Sequence, residues 1–247
     1  MFELLFPFFL IVLFFLVLAI IWRRNARKYI SSGTVASAYD AWTQDKLLER
    51  LWGEHIHLGF YPLGKKNIDF RKAKVQFVHE LVKWSGLDKL PKGSRILDVG
   101  CGIGGSSRIL AKYYGFNVTG ITISPAQVKR ARELTPSGLN CNFQVMDALD
   151  LKFENGSFDA IWSGEAGAHM NDKNKFADEM LRTLRPGGYM ALADWNSRDL
   201  RTCPPSFFEK LVLKQLLEQW VHPKFISIKE FRSILANNKN SAGNVIS

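Results

Sequence analysis

The chain has 247 residues, 47% of them apolar, and a formal net charge of +10, enough for one α/β domain with a sizeable core. The basic excess admits nucleic acid or an anionic membrane surface as partner, but no interleaving of aromatic and basic residues speaks for nucleic acid. Cys101, Cys141 and Cys203 stand at no metal or redox spacing, so no metal is expected and a reducing compartment fits.

From Leu4 to Trp22 the sequence carries no charge and one proline. As a helix this run would span roughly 28 Å, close to the hydrocarbon thickness of a bilayer. The acidic start at Glu3 and the bulky end Ile20-Ile21-Trp22 argue against a cleaved signal peptide. A retained single-pass transmembrane anchor over residues 1–22 is therefore expected. The basic cluster Arg23, Arg24, Arg27 and Lys28 would then place everything after Trp22 on the cytoplasmic side, with the membrane as the simplest partner for the positive charge.

Residues 23–34 read as a basic linker and 35–90 as a helical cap. Within the cap, VASAYDAWTQDKLLERLWG (35–53) predicts one helix. The aromatic, histidine-rich WGEHIHLGFYPLG (52–64) has no clear period and predicts a loop. Apolar residues at Ala73, Phe77, Val78, Leu81 and Val82 predict a helix from Phe70 to Trp84. Residues 91–200 alternate strands (RILDVG, NVTGITI, NFQVM, FDAIWS, YMALADW) with helices, started at Ser124-Pro125 and Asp172 and stopped at Gly115. Pro186-Gly187-Gly188 predicts a turn before the fifth strand. Five alternations mean a Rossmann-like, doubly wound parallel sheet, with its ligand at the carboxyl ends of the strands. Residues 201–247 read as C-terminal helices.

The loop GCGIGG (Gly100–Gly105) sits at the first strand–helix turn. Its G-x-G-x-x-G spacing suits a dinucleotide, yet Asp98 before it would repel a pyrophosphate and suit a cationic amine. Asp98 could instead bond loop N–H groups. No acid lies between Val99 and Arg132 to take a ribose diol, where a dinucleotide wants one. Arg108, Lys129 or Arg130 could serve a phosphorylated ribose, which keeps an NADP-dependent oxidoreductase as an alternative. Asp147 after the third strand could accept from an adenine amino group or cap a helix.

ILDVGCGIGG, GSFDAIWS and LRPGGYMALA, in that order, resemble the three motifs of class I S-adenosylmethionine-dependent methyltransferases. The resemblance implies S-adenosyl-L-methionine as methyl donor. It puts Asp98 near the methionine amino group and Asp147 with Ala148 at the adenine. Gly100, Cys101, Gly102, Gly104, Thr122, Ile123 and Ser163 line the rest, and Tyr39 covers the methionine end beside Trp42. Thr122 stands where most of the superfamily has an acid. Outside the core, AYDAWTQD, WGEHIHLGFY, GITISPAQVKRA, SGEAGAHM and LADWN are similar to the tocopherol-pathway methyltransferases of plants and cyanobacteria. That similarity implies ring C-methylation of a prenylated benzoquinol, of the 2-methyl-6-phytyl-1,4-benzoquinol kind, met in a cyanobacterial or plastid membrane. It also implies a sixth and seventh strand that the sequence does not provide, so a shortened, inactive donor- or quinol-binding protein is a further alternative.

The chemistry needs a base for a phenolic proton and another for the ring proton. Glu165 and His169, just after the fourth strand, rank first, with a structural role bonding loop backbone as the rival reading. His55 and His57 alternate on one side of the cap loop and are candidates as a lid, with a surface position as the rival reading. His79 and His222 read as structural or exposed.

Overall fold

The computed structural model describes residues 10–17, 28–64 and 67–241. Its centre is a parallel sheet of β1 (Arg95–Val99), β2 (Asn117–Thr122), β3 (Cys141–Val145), β4 (Phe158–Gly164) and β5 (Leu184–Ala193), in the spatial order β3-β2-β1-β4-β5. Asp98 pairs in register with Gly120 of β2 on one side and Trp162 of β4 on the other. The order reverses beside β1, which opens the ligand crevice at the carboxyl ends of β1 and β4.

Four of the five β1 residues are buried, as a strand covered on both faces requires. Successive side chains point to opposite faces, so neighbours in sequence feed two separate cores. Ile96 and Trp162 pack with Val78, Val82, Leu110 and Phe116. Leu97 and Ile161 pack with Ile121, Phe158, Phe176 and Met180. The first core is closed by α3 (Phe70–Ser85) and α4 (Gly105–Tyr114), the second by α6 (Lys173–Thr183). The signals for starts and stops act as the sequence suggests. Ser124 Oγ accepts from the Gln127 N–H to begin α5 (Pro125–Leu134), Asp172 accepts from the Lys175 N–H, and Gly115 ends α4 at φ +70°.

Three expectations are corrected. Among the described residues no helix is long and apolar enough to cross a membrane. Within the expected anchor the structure describes residues 10–17, which are helical. The rest of Leu4–Trp22, with Arg23, Arg24 and Arg27, lies outside the described residues. The single-pass anchor and the localisation built on it are not supported. Second, the expected helix 35–53 is two, α1 (Ser32–Gln44) and α2 (Leu47–Trp52), because Lys46 adopts φ +55° between them. Third, Pro186-Gly187-Gly188 is not a separate turn. It is an irregularity inside β5, where Leu184 pairs with Phe158 and the register shifts before Tyr189 meets Ala160.

After β5 come α7 (Phe207–Gln219) and α8 (Ile228–Ala236). No strand follows β5 among the described residues, so β5 is the sheet edge there. Residues 242–247, the end of the sequence, fall outside them.

Candidate active site

One cavity at the carboxyl ends of β1, β2 and β4 is lined by the glycine loop, the cap loop 52–58, residues after β4 and the segment after α7. Its donor side begins with Asp98, 2% exposed, whose Oδ2 accepts the Ser107 hydroxyl at 2.5 Å. Burial pushes the Asp98 carboxyl up to about 7, the Ser107 bond working against that shift. A carboxylate so poorly solvated is strongly favoured by an arriving cation.

The glycine loop is not built for phosphate. The N–H groups of Gly100 and Cys101 both donate to the Ile121 carbonyl at 2.9 Å, and that of Gly104 donates to Cys101. Gly100 adopts φ +75° and a Cβ there would stand 2.2 Å from that of Ala166. Gly102, at φ +55°, faces open space. Gly100 thus lets Ala166 pack against the loop, and Gly102 leaves space beside it, while three of the loop's N–H groups are already engaged within the protein. The basic residues that kept a phosphorylated ribose in play are engaged elsewhere. Arg108 binds Glu54 at 2.6 Å and the Ile103 carbonyl, and Arg130 binds Glu49 and Glu133. Lys129 is exposed and off the cavity lining.

Cys101, Thr122, Ile123, Asp147 and Ala148 line the cavity as expected. Asp147 does not cap a helix; its Oδ1 accepts from the Leu149 N–H at 2.9 Å in a local turn. The Thr122 hydroxyl donates to Gln127 Oε1 at 2.6 Å, which brings the Gln127 amide to the lining. Gln127 was not foreseen, since a glutamine in the first turn of a helix looks like ordinary surface. Gly104 and Ser163 lie off the lining. Gly104 is the residue before α4, and the Ser163 hydroxyl donates to the Val99 carbonyl at 3.1 Å, tying β4 to β1.

The residues fit the methyl donor. Beside Asp98, Trp162 lines the cavity fully buried, and its Nε1–H has no partner. A carboxylate acceptor and an orphaned N–H on neighbouring strands suit the ammonium and carboxylate of an amino acid.

On the acceptor side, Glu165 follows β4 at φ +60°, a strained setting for a non-glycine residue. Its Oε1 accepts the Leu58 N–H at 2.9 Å and its Oε2 accepts the Trp195 indole N–H at 2.8 Å. Burial raises its carboxyl against both bonds. Lys74 of α3, 4% exposed, donates to the carbonyls of Trp52 and His55 at 3.1 and 2.7 Å. Glu165 and Lys74 thus clamp the cap loop over the cavity from opposite elements.

That clamp buries His55 and His57, so the surface reading fails for both. His57 Nδ1 donates to the Leu58 carbonyl at 2.8 Å, leaving Nε2 to accept from His55 Nδ1 at 3.0 Å. Burial pushes His55 down to about 3 and His57 to about 4. His169 Nε2 meets the Tyr39 hydroxyl at 2.8 Å and its Nδ1 the Val221 carbonyl at 3.4 Å. A carbonyl only accepts, so Nδ1 carries the proton and Tyr39 donates. Burial pushes His169 to about 4 and raises the Tyr39 phenol. Tyr39 lines the cavity, whereas Trp42 lies off the lining and packs between Tyr39 and Trp220. His79 is structural, bonded to the Tyr114 hydroxyl at 2.8 Å. His222 is not exposed. It is 8% accessible and lines the cavity.

Comparison with known proteins agrees with this geometry. Residues 97–192 match the family model described as a methyltransferase domain. The chain is 57% identical over 231 residues to 2-methyl-6-phytyl-1,4-hydroquinone methyltransferase of Synechocystis sp., covering 92% of this chain and 72% of that one. It is 35% identical over 204 residues to chloroplastic tocopherol O-methyltransferase of Arabidopsis thaliana, covering 78% of this chain and 59% of the relative. Among solved structures, geranyl diphosphate C-methyltransferase of Streptomyces coelicolor A3(2), in complex with S-adenosyl-L-homocysteine, shares the fold at TM-score 0.67 and 22% identity, over 84% of this chain and 78% of that one. The NADP-dependent reading is set aside. The chain belongs to the family of 2-methyl-6-phytyl-1,4-hydroquinone methyltransferase and is an S-adenosylmethionine-dependent methyltransferase.

Proposed function

We propose that the acceptor is a prenylated benzoquinol of the 2-methyl-6-phytyl-1,4-hydroquinone kind, methylated at a ring carbon. The observation that carries this reading is the make-up of the acceptor side. Trp52, Trp195 and Trp220 supply aromatic walls, and the histidines among them are held neutral by burial. Flat apolar walls suit an aromatic ring with a hydrocarbon tail. Neutral imidazoles do not repel a cationic methyl donor.

S-adenosylmethionine supplies an electrophilic methyl group on a sulfonium sulfur. Asp98 and the Trp162 N–H would hold its amino-acid end, Gly102 gives it room, and Gln127 with Asp147 would meet its nucleoside. Tyr39, fixed by His169, closes the cavity on the cap side. The cap loop, held by Lys74 and Glu165, keeps water from the reacting carbon and fixes the ring. Glu165, a carboxylate with raised proton affinity, takes the ring proton that methylation displaces.

The reading is tested by incubating the purified chain with methyl-labelled S-adenosylmethionine and a panel of acceptors: prenylated benzoquinols, a tocopherol, a tail-free hydroquinone and a small amine. Label in the ring of the prenylated quinol is expected, with at least tenfold lower kcat/KM for the tail-free ring. Label on the tocopherol or the amine instead would reassign the acceptor. Donor binding with no label on any acceptor would leave a binding protein.

A further inference from the structure

The histidine pair of the cap loop has a fixed polarity. His57 Nδ1 meets the Leu58 carbonyl at 2.8 Å, and a carbonyl only accepts, so Nδ1 carries the His57 proton. The bare His57 Nε2 then takes the His55 Nδ1–H at 3.0 Å, with the Ser106 hydroxyl beside it at 3.4 Å. A neutral imidazole has one ring proton, so His55 Nε2 is left as a lone pair. Burial, with His57, Arg108 and Lys74 nearby, pushes His55 down to about 3. This nitrogen therefore accepts hydrogen bonds and carries no proton of its own.

Its surroundings turn it toward a ligand. His55 lines the cavity. Among the described residues, Trp162 Nε1, Gln219 Nε2 and His222 Nδ1 are the side-chain polar atoms both sealed from solvent and unpartnered. His55 Nε2 has no hydrogen bond within the protein and is not one of them, so it stands open on the cavity. The ring is held there. At Gly105, the first residue of α4, a Cβ would stand 2.8 Å from His55 Cε1 and 2.9 Å from its Nδ1. On its other side the ring packs against His57, which packs on Phe77. Lys74 binds the carbonyls of both Trp52 and His55. One short stretch of loop thus presents an aromatic wall and an acceptor nitrogen together.

We infer that His55 selects the redox state of the acceptor ring, its Nε2 accepting a hydrogen bond from a hydroxyl of the hydroquinone and turning away the quinone; the inference rests on the proposed hydroquinone acceptor. The two forms share ring, substituents and tail, and apolar walls do not tell them apart. A hydroquinone oxygen offers an O–H to Nε2. A quinone oxygen offers only lone pairs, which face the imidazole lone pair, and both acceptors are then buried without a donor. A site built to hydrogen-bond a hydroxyl rejects the analogue lacking it more strongly than a change of apolar bulk does. The hydroquinone has the electron-rich ring that methylation needs, so excluding the quinone keeps the site free of a form that does not react.

The test measures, without oxygen, the Kd of a prenylated hydroquinone and of its matching quinone on the chain loaded with S-adenosylhomocysteine, for wild type, His55→Phe and His55→Gln. Calorimetric binding of S-adenosylhomocysteine reports the donor side separately. In wild type the quinone should bind at least about 30-fold more weakly than the hydroquinone. His55→Phe keeps a flat ring and loses the acceptor, so hydroquinone binding should weaken about tenfold and the preference fall to roughly threefold or less. His55→Gln can turn an amide N–H to a quinone oxygen, so the quinone should bind about tenfold more tightly than to wild type, a gain that a damaged site does not produce. Affinity for S-adenosylhomocysteine should stay within about threefold in both. Equal binding of the two forms by wild type would overturn the inference and leave the hydroquinone reading standing, as would a wild-type preference retained in both variants. A loss of S-adenosylhomocysteine affinity with the preference intact would overturn it too, moving His55 to the donor's ammonium. A wild-type chain that binds the donor and methylates no prenylated hydroquinone removes the reading itself and the inference with it.

Discussion

At the scale of single residues, the site rests on carboxylates and imidazoles kept in unusual protonation states by burial. Asp98 is the clearest case. Burial pushes its carboxyl up to about 7, and the ammonium of the donor requires the ionised form. Donor affinity should therefore rise with pH through about 7 and level off above it, and binding below 7 should release a proton. Calorimetry of S-adenosylhomocysteine in buffers of different ionisation enthalpy reads both. Asp98→Asn should weaken binding by roughly 30-fold or more, as loss of one partner of a buried charge pair does, and abolish that pH dependence. Glu165→Gln keeps an oxygen for one of the two N–H groups but loses the carboxylate. It should lower kcat by about a hundredfold with donor affinity nearly unchanged. Asp98 was legible because strand, acid and glycine turn are adjacent in sequence. His222 was not. It lies in VHPKF with no periodicity, and only the packing of that segment beneath His169 buries it.

At the scale of elements, the catalytic half depends on how the cap is fastened. Asp40 of α1 accepts the Ser124 hydroxyl at 2.5 Å and the Ala126 N–H at 3.1 Å, seating a carboxylate on the positive end of α5. Lys74 fastens the following loop. Lys74→Met would leave two loop carbonyls without their donor, at about 1–3 kcal/mol each if they stay buried. The expected outcome is faster amide exchange and proteolysis within residues 52–64, with a raised acceptor KM and little change in donor affinity. Exchange unchanged from wild type would show that Lys74 does not hold the loop. The strands and helices of the core were readable from apolar runs and their caps. The break at Lys46 was not, because the apolar pattern runs straight through it and the change is in one backbone angle. The cap loop's closure was equally hidden, since its clamps come from α3 and from the end of β4, 19 and 107 residues away in sequence.

At the scale of the whole molecule, the sheet order does the assembling. Reversal beside β1 sets Asp98 next to Trp162, while the segments after β4 and α7 bring Glu165, His169 and His222 to the same opening. The alternation of strands and helices announced that architecture, and the motif order pointed to its ligand. Hydropathy alone misled at the N-terminus, since among the described residues no helix is long and apolar enough to cross a membrane. The same frame disfavours a nicotinamide dinucleotide, because the Gly100 and Cys101 N–H groups are spent on Ile121 and the nearby arginines on glutamates. NADPH should give no saturable heat on titration, whereas S-adenosylmethionine should; the opposite pattern would return the oxidoreductase reading. The most direct test is a crystal structure of the chain with S-adenosylhomocysteine and a prenylated hydroquinone. The account predicts the donor's amino group on Asp98, its carboxylate on the Trp162 N–H, and the hydroquinone ring against Glu165 among Trp52, Trp195 and Trp220. A donor seated away from Asp98, or a ring away from Glu165 and these tryptophans, would contradict it.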